Sequence, residues 1–265
     1  MKECKIITIA NHKGGVAKTT TAINLAAGIL EVDHSSRVLL IDTDPQCNLT
    51  MAMFPFKKQD YETALTMIDV FSKKAIDNEI KKSNIKGVDI IASHQNLCLT
   101  EKEILGTPRS INGMGSFISK GHLKEQYDFI IIDTPPSPNS PFTVSALTCS
   151  DYYILCIKSE DCFSLEGMGH FESLAQEVME TTNPELILLG HVLTMYDGRN
   201  KTCQLQESIA RSKYGESVFK SIIRTNTDIS RANGEKVSIF QRNKWVNGAK
   251  DYLDFTKEFL ERISN

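Results

Sequence analysis

Two lysines and two threonines crowd a short string near the start of the chain, His12-Lys13-Gly14-Gly15-Val16-Ala17-Lys18-Thr19-Thr20. A lysine and a hydroxyl behind adjacent glycines are what a nucleoside triphosphate and its magnesium ion require. Gly14 and Gly15 let the backbone approach an anion with no Cβ in the way. The N–H groups from Gly14 through Val16 and Ala17 to Thr20 can converge on a phosphate at a helix N-terminus, where unpaired donors and the helix dipole favour negative charge. Lys18 would reach the β- and γ-phosphates, and the Thr19 hydroxyl would ligate Mg²⁺. The string departs from the general phosphate loop GxxxxGK(S/T) twice, with His12 and Ala17 where that pattern has glycine, and it adds a lysine at 13. The plain alternative is a glycine-rich turn beside a surface lysine. Context favours the phosphate loop, because an apolar run precedes the string and a helix-period segment follows it.

Three carboxylates could complete such a site. VLLIDTDPQCN ends an apolar run in Asp42 and Asp44, and YDFIIIDTPPS ends another in Asp133. In an open parallel sheet the ligand lies beyond the carboxyl ends of the strands. All three fall there, where a carboxylate suits the water shell of magnesium. Taken singly, each could also start a turn or cap the next helix.

The elements that must hold these residues follow from hydrophobic spacing. Apolar runs predict strands over 4–10, 37–41, 88–92, 129–132, 152–157, 186–193 and 218–223. Ala22, Leu25, Ala26, Ile29 and Leu30 share one side of a helix over 18–32. Further helices are predicted over 164–180, 202–214 and 246–263. Strands alternating with helices imply an α/β fold: a mostly parallel twisted sheet with helices on both faces. The strands are continuously apolar, as a doubly covered sheet needs. With no linker or repeat, residues 1–265 read as a single domain, without a helix-turn-helix domain before the first strand. The stretch 51–86, with Lys73-Lys74 and Lys81-Lys82, reads as a helical, polar, solvated face.

Composition bounds the function. Of 265 residues, 41% are hydrophobic and 24% charged, and the net charge is -3, ordinary for a globular domain with a sizeable core. No run approaches the roughly 18 apolar residues of a membrane span, and the first residues lack a secretory signal, so a cytoplasmic protein is expected. Seven cysteines include no CxxC and six histidines no HxxxH, which fits free thiols better than a disulfide frame or zinc site.

KGGVAKTT, VLLIDTDPQCN and YDFIIIDTPPS, in that order, resemble the ParA/Soj branch of the deviant-Walker partition ATPases, P-loop NTPases whose relatives include the MinD proteins. FSLEGM (163–168), LTMYDGRNK (193–201) and IIRTNTDISRANGEKVSIF (222–240) extend the resemblance over nearly the whole chain. It implies an ATP- and Mg²⁺-dependent ATPase that forms a homodimer around two nucleotides, binds double-stranded DNA nonspecifically on the nucleoid, and segregates a plasmid or chromosome. A ParB-like partner would stimulate hydrolysis. By the same resemblance Lys13 is the signature lysine, reaching the partner's phosphates across the dimer, much as an arginine finger acts in trans. Lys18 binds phosphates, Thr19 ligates Mg²⁺, and Asp44 orients or activates the attacking water. Asp42 and Asp133 surround the Mg²⁺ shell, and the segment near Arg224 and Asn226 contacts the adenine. Two departures stand out. Ala17 replaces a glycine, which costs about 1 kcal/mol if the position needs positive φ and nothing if it does not. Arg231 replaces an acidic residue common in the family.

The residues themselves give the DNA expectation separate support. Between positions 199 and 250 eleven Lys/Arg face four Asp/Glu, a local +7 against -10 for the remainder. Arg199, Arg224, Arg231, Arg242, Lys244 and Lys250 are the candidate phosphate contacts; a merely basic solvated half would look the same. The last helix mixes acids and bases around its apolar side, which favours core packing over the basic face of a membrane-surface helix. Two other functions share the loop: a positioning ATPase whose cargo is a protein, and a nucleotide-gated binding module with very slow turnover. An iron–sulfur reductase would need paired cluster cysteines, and no convincing pair is present.

Overall fold

The computed structural model describes residues 3–54, 64–71, 79–160 and 168–264. Lys73-Lys74, Cys162 and most of FSLEGM lie outside the described residues. Eight strands form one sheet: β1 (Lys5–Ala10), β2 (Val38–Asp42), β3 (Lys81–Lys82), β4 (Val88–Ile91), β5 (Phe129–Asp133), β6 (Tyr152–Lys158), β7 (Ile187–Tyr196) and β8 (Val218–Arg224). Their order is β3-β4-β2-β5-β1-β6-β7-β8. Every pairing is parallel except β3 with β4.

Alternate side chains leave opposite faces of each strand, and here both faces are buried. Ile7, Ile9, Leu40 and Ile131 enter one core cluster, with Ala22, Leu25 and Phe255. Ile6, Ile41, Ile130 and Ile132 enter another, with Met114, Ile118 and Phe142. This is why the strands read as continuous apolar runs. The first face is covered by α1 (Lys18–Val32) and the C-terminal helix, here α12 (Asn247–Ser264). These two approach so closely at Gly28 that a Cβ there would lie 2.2 Å from Thr256 Oγ1. Tyr252, Phe255 and Phe259 of α12 are buried in that contact, as core packing predicts.

The stretch 51–86 departs from its expected character. In its described part, Met53, Phe54, Leu65, Met67 and Phe71 are buried, the last two in α3 (Met67–Phe71). Lys81 and Lys82 are strand rather than helix, pairing antiparallel at the sheet edge. Two lysines suit an edge, where charge discourages further pairing, and Lys82 meets Asp89 of β4 at 2.9 Å. Nothing in a Lys-Lys string distinguishes an edge strand from a solvated helix.

The opposite edge, β8, is closed by carboxylates of α12. The N–H groups of Lys220 and Ser221 donate to Glu258, and that of Arg224 donates to Asp251. Arg262 braces Glu258 and donates to the carbonyls of Leu189 and Val218.

His191 of β7 is fully buried, stacked at 4.1 Å on Tyr214, with Nδ1 3.1 Å from Ser217 Oγ. Burial pushes its pKa down to about 4, and the positive charges of Lys213 and Arg262 add to the depression. Because the unfolded imidazole titrates near 6.5, the unfolded chain takes up a proton that the native state refuses. This contribution is intact above about pH 6.5 and is lost as pH falls toward 4. Whatever constant stability His191→Gln loses, its melting temperature should fall less steeply over that window. Between pH 6.5 and pH 4 the stability gap between the two proteins should shift by up to about 3 kcal/mol in favour of the variant, read from thermal melts across pH.

Candidate nucleotide site

The loop after β1 is pinned from below before it reaches any ligand. Asn11 is buried at the end of β1; its Nδ2 donates to the Cys156 carbonyl of β6 at 2.5 Å, and its Oδ1 accepts from the Lys13 N–H at 2.9 Å. Thr194 of β7 donates to the Val16 carbonyl at 3.2 Å, and the Val16 side chain is buried. Gly15 and Ala17 both have positive φ, 70° and 66°. Ala17 is the N-cap of α1 and makes no side-chain cap, so the first N–H groups of the helix remain for a ligand. They border a cleft of about 420 Å³ lined by Gly14, Gly15, Ala17, Lys18, Thr19, Thr20 and, opposite, Asp44.

The polar side chains converge on that space. Lys18 is only 7% exposed, and its ammonium donates to the Lys13 carbonyl at 2.7 Å. Burial lowers its pKa, opposed by the nearby charge of Asp133. Thr19 Oγ1 donates to Asp133 Oδ2 at 2.6 Å, whereas Asp133 Oδ1 is buried and without a hydrogen-bond partner. Burial, with Asp42 nearby, pushes the Asp133 carboxyl up to about 8. A buried acid with one oxygen orphaned beside a threonine hydroxyl fits a hydrated divalent cation, which would supply the missing charge and donors. Among the described residues no group of three or more His, Cys, Asp or Glu could hold a metal ion alone. Asp44 lines the cleft, its Oδ1 accepting from the Gln46 N–H at 2.9 Å, and burial raises its pKa against the pull of Lys18.

The structure does not bring every expected residue to the cleft surface. Asp42 has no exposed area. Its Oδ1 accepts from the Asp44 N–H, and its Oδ2 from the N–H and hydroxyl of Thr50 in α2 (Asn48–Met53). It braces the turn that aims Asp44. Arg224 and Asn226, expected near the adenine, do not line this cleft. Arg224 is clamped on Asp251, and Asn226 caps α10 (Thr227–Glu235) by accepting from the Asp228 N–H. From the C-terminal half the cleft is lined instead by Met195, Asn233 and Lys236, with Asn233 Nδ2 3.2 Å from Thr20 Oγ1. Sequence reasoning missed these, and also Asn11 and Thr194. Asn11 carried a usable signal, a polar residue at the carboxyl end of an apolar strand; Met195 and Asn233 carried none. Four of the five non-glycine residues with positive φ among those described, Ala17, Cys47, Met195 and Lys236, lie in or beside this cleft. Backbone strain concentrates where ligands are held.

The candidate DNA contacts are mostly engaged. Arg199 pairs with Asp197, Arg224 with Asp251, Arg231 with Asp228, and Arg242 with Glu235 and Asp228. Asp197 and Asp251 lie just outside the 199–250 window; including them changes the balance to eleven bases against six acids, or +5. Lys244 and Lys250 are exposed. Among the described residues no helix is long and apolar enough to cross a membrane.

The AAA domain family profile matches residues 4–188. The sporulation initiation inhibitor protein Soj of Bacillus subtilis is 34% identical over 96% of this chain and 97% of its own length. The chromosome-partitioning ATPase Soj of Thermus thermophilus is 31% identical over 97% and 96%. Among solved structures, cobyrinic acid a,c-diamide synthase of Mycobacterium smegmatis, with a bound ATP analogue and magnesium, superimposes with a TM-score of 0.81. It is 25% identical over 99% of this chain and 96% of that one.

Proposed function

This chain belongs to the ParA/Soj family of partition ATPases, and from that premise we propose that it is an ATP-dependent dimerising switch that carries DNA cargo over the nucleoid. Two copies close over two nucleotides, bind duplex DNA nonspecifically, and part when a ParB-like partner stimulates hydrolysis. The observation that carries this reading is the cleft lined together by Lys18, Thr19 and Asp44, with Asp133 accepting a hydrogen bond from Thr19. Thr19 would hold magnesium, with Asp133 anchoring a water of its shell, and the ion would supply positive charge against the phosphates. Lys18 exchanges the Lys13 carbonyl for phosphate oxygens. Asp44, made more basic by burial, accepts a hydrogen bond from the attacking water and fixes its line of approach. Lys13 adds a positive charge from the partner copy, so hydrolysis waits for the dimer.

Sedimentation velocity with ATP, ADP and neither, with and without random-sequence duplex at two salt concentrations, tests the cycle. The expected result is a dimer with ATP alone, and duplex binding by that dimer which weakens with salt. A chain that stays monomeric at saturating Mg-ATP would remove the switch.

Ala17 favours a second reading, the binding module with slow turnover. With φ at 66°, its methyl group bears the left-handed penalty that glycine would not. Ala17→Gly should raise stability by about 0.5–1 kcal/mol after allowing for the looser unfolded chain. Partner- and DNA-stimulated phosphate release, compared for the two proteins, separates the readings. A gain of about tenfold or more, some 1.4 kcal/mol of barrier, supports the module, and equal rates support the cycling switch.

A further inference from the structure

Trp245 is the only tryptophan in the chain and, among the described residues, the most exposed large apolar side chain, at 76%. It sits in the turn between α11 (Ile239–Asn243) and α12, and the turn is ordered: Asn243 Oδ1 accepts from the Trp245 N–H at 3.0 Å. The Lys244 ammonium lies over the ring, 5.4 Å from its centroid. The stretch from Lys236 to Lys250 contains no acidic residue, and Gln241, Asn243, Lys244, Asn247 and Lys250 along it are exposed; the carboxylates of Asp228 and Glu235 that reach it are held by Arg242. An exposed apolar ring under a lysine ammonium, in a stretch whose own charges are all positive, complements a polyanion whose bases and sugars offer flat apolar surface. It is a poor lipid anchor, because the apolar side of α12 is spent on the core and a single ring remains.

The turn also hangs from the phosphate-loop helix. The Ile239 N–H donates to Asn24 Oδ1 at 2.8 Å, Asn24 Nδ2 donates to the Thr20 carbonyl, and Asn233 reaches the Thr20 hydroxyl. A ligand that draws Thr20 therefore acts on the elements that carry Trp245.

We propose that Trp245 packs against the sugars and base edges in a groove of duplex DNA while Lys244 and Lys250 hold flanking phosphates. The inference rests on the reading that the nucleotide-loaded protein binds duplex DNA. The test uses the full chain loaded with Mg²⁺ and a non-hydrolysable ATP analogue, titrated with labelled random-sequence duplex. Duplex should quench and shift the tryptophan emission, with the same midpoint as the anisotropy of the label. Trp245→Ala should weaken duplex binding about tenfold with an unchanged salt slope, since no phosphate contact is lost. Trp245→Phe should recover most of it. Lys244→Ala should lower the slope by about one. If wild type shows no duplex binding by anisotropy, the DNA reading itself fails and this inference with it. If duplex binds but the emission does not move, or Trp245→Ala binds equally well, only this inference falls. A larger emission response to single-stranded DNA, anionic vesicles or a ParB-like protein than to duplex would overturn it too.

Discussion

Lys18→Ala is expected to lose Mg-ATP binding by about 30- to 3,000-fold in Kd, the range for removing one partner of a buried, hydrogen-bonded charge pair. The ammonium is already taken out of water by its surroundings, so its desolvation is largely met before the nucleotide arrives. What the triphosphate then gains is a charge-assisted bond in a site of low dielectric. The same burial protects the fold from the substitution. A group whose charged form is disfavoured gives little to nucleotide-free stability, and its ammonium donates to a loop carbonyl. Calorimetric titration should show the collapse of affinity, while melts without nucleotide should stay within a few degrees of wild type. Tight binding retained in the variant would remove the loop from its assigned role.

The second large effect concerns persistence rather than binding. Asp44→Ala should hold the ATP-bound dimer, with turnover down by a hundredfold or more, about 2.7 kcal/mol of barrier. Asp42 keeps its bonds to Thr50 in such a variant, so α2 should remain in place. Lys13→Ala built into the same background should return the protein to monomer at saturating Mg-ATP. Lys13 gives the nucleotide loop its backbone N–H and carbonyl contacts, which alanine retains, so ATP binding should persist. Sedimentation of the single and double variants reads both expectations. A dimer that survives the loss of Lys13 would place the dimerising charge elsewhere.

How much of this was legible before any coordinates depended on the reach of each interaction. Strand β1, helix α1 and the loop between them follow from local pattern: apolar run, paired glycines, Lys-Thr-Thr, helical spacing. Helix α1 begins and ends at the predicted residues, Lys18 and Val32. The sign of φ at Ala17 did not follow, because alanine fits both signs in principle and only the packed loop decides. Asp42 and Asp44 looked equivalent in VLLIDTDPQ. The strand pleat and the N–H groups of Asp44 and Thr50 turn one inward as a brace and leave the other at the cleft. The basic window met a different limit. Its excess was real in composition, yet Arg199 and Arg224 are paired with acids one residue or more beyond the boundary drawn. Charge counted along a chain does not reveal which charges already have partners.

The sealed rim of β8 bears on how such molecules gather. Crowding along a polymer raises local concentration and would reward any sheet able to accept a neighbour's strand. Glu258 and Asp251 occupy the amides such a strand would need. Self-association is thereby steered away from backbone zippering, which no cleavage of a phosphoanhydride could reverse, and left to contacts that spent nucleotide can dissolve.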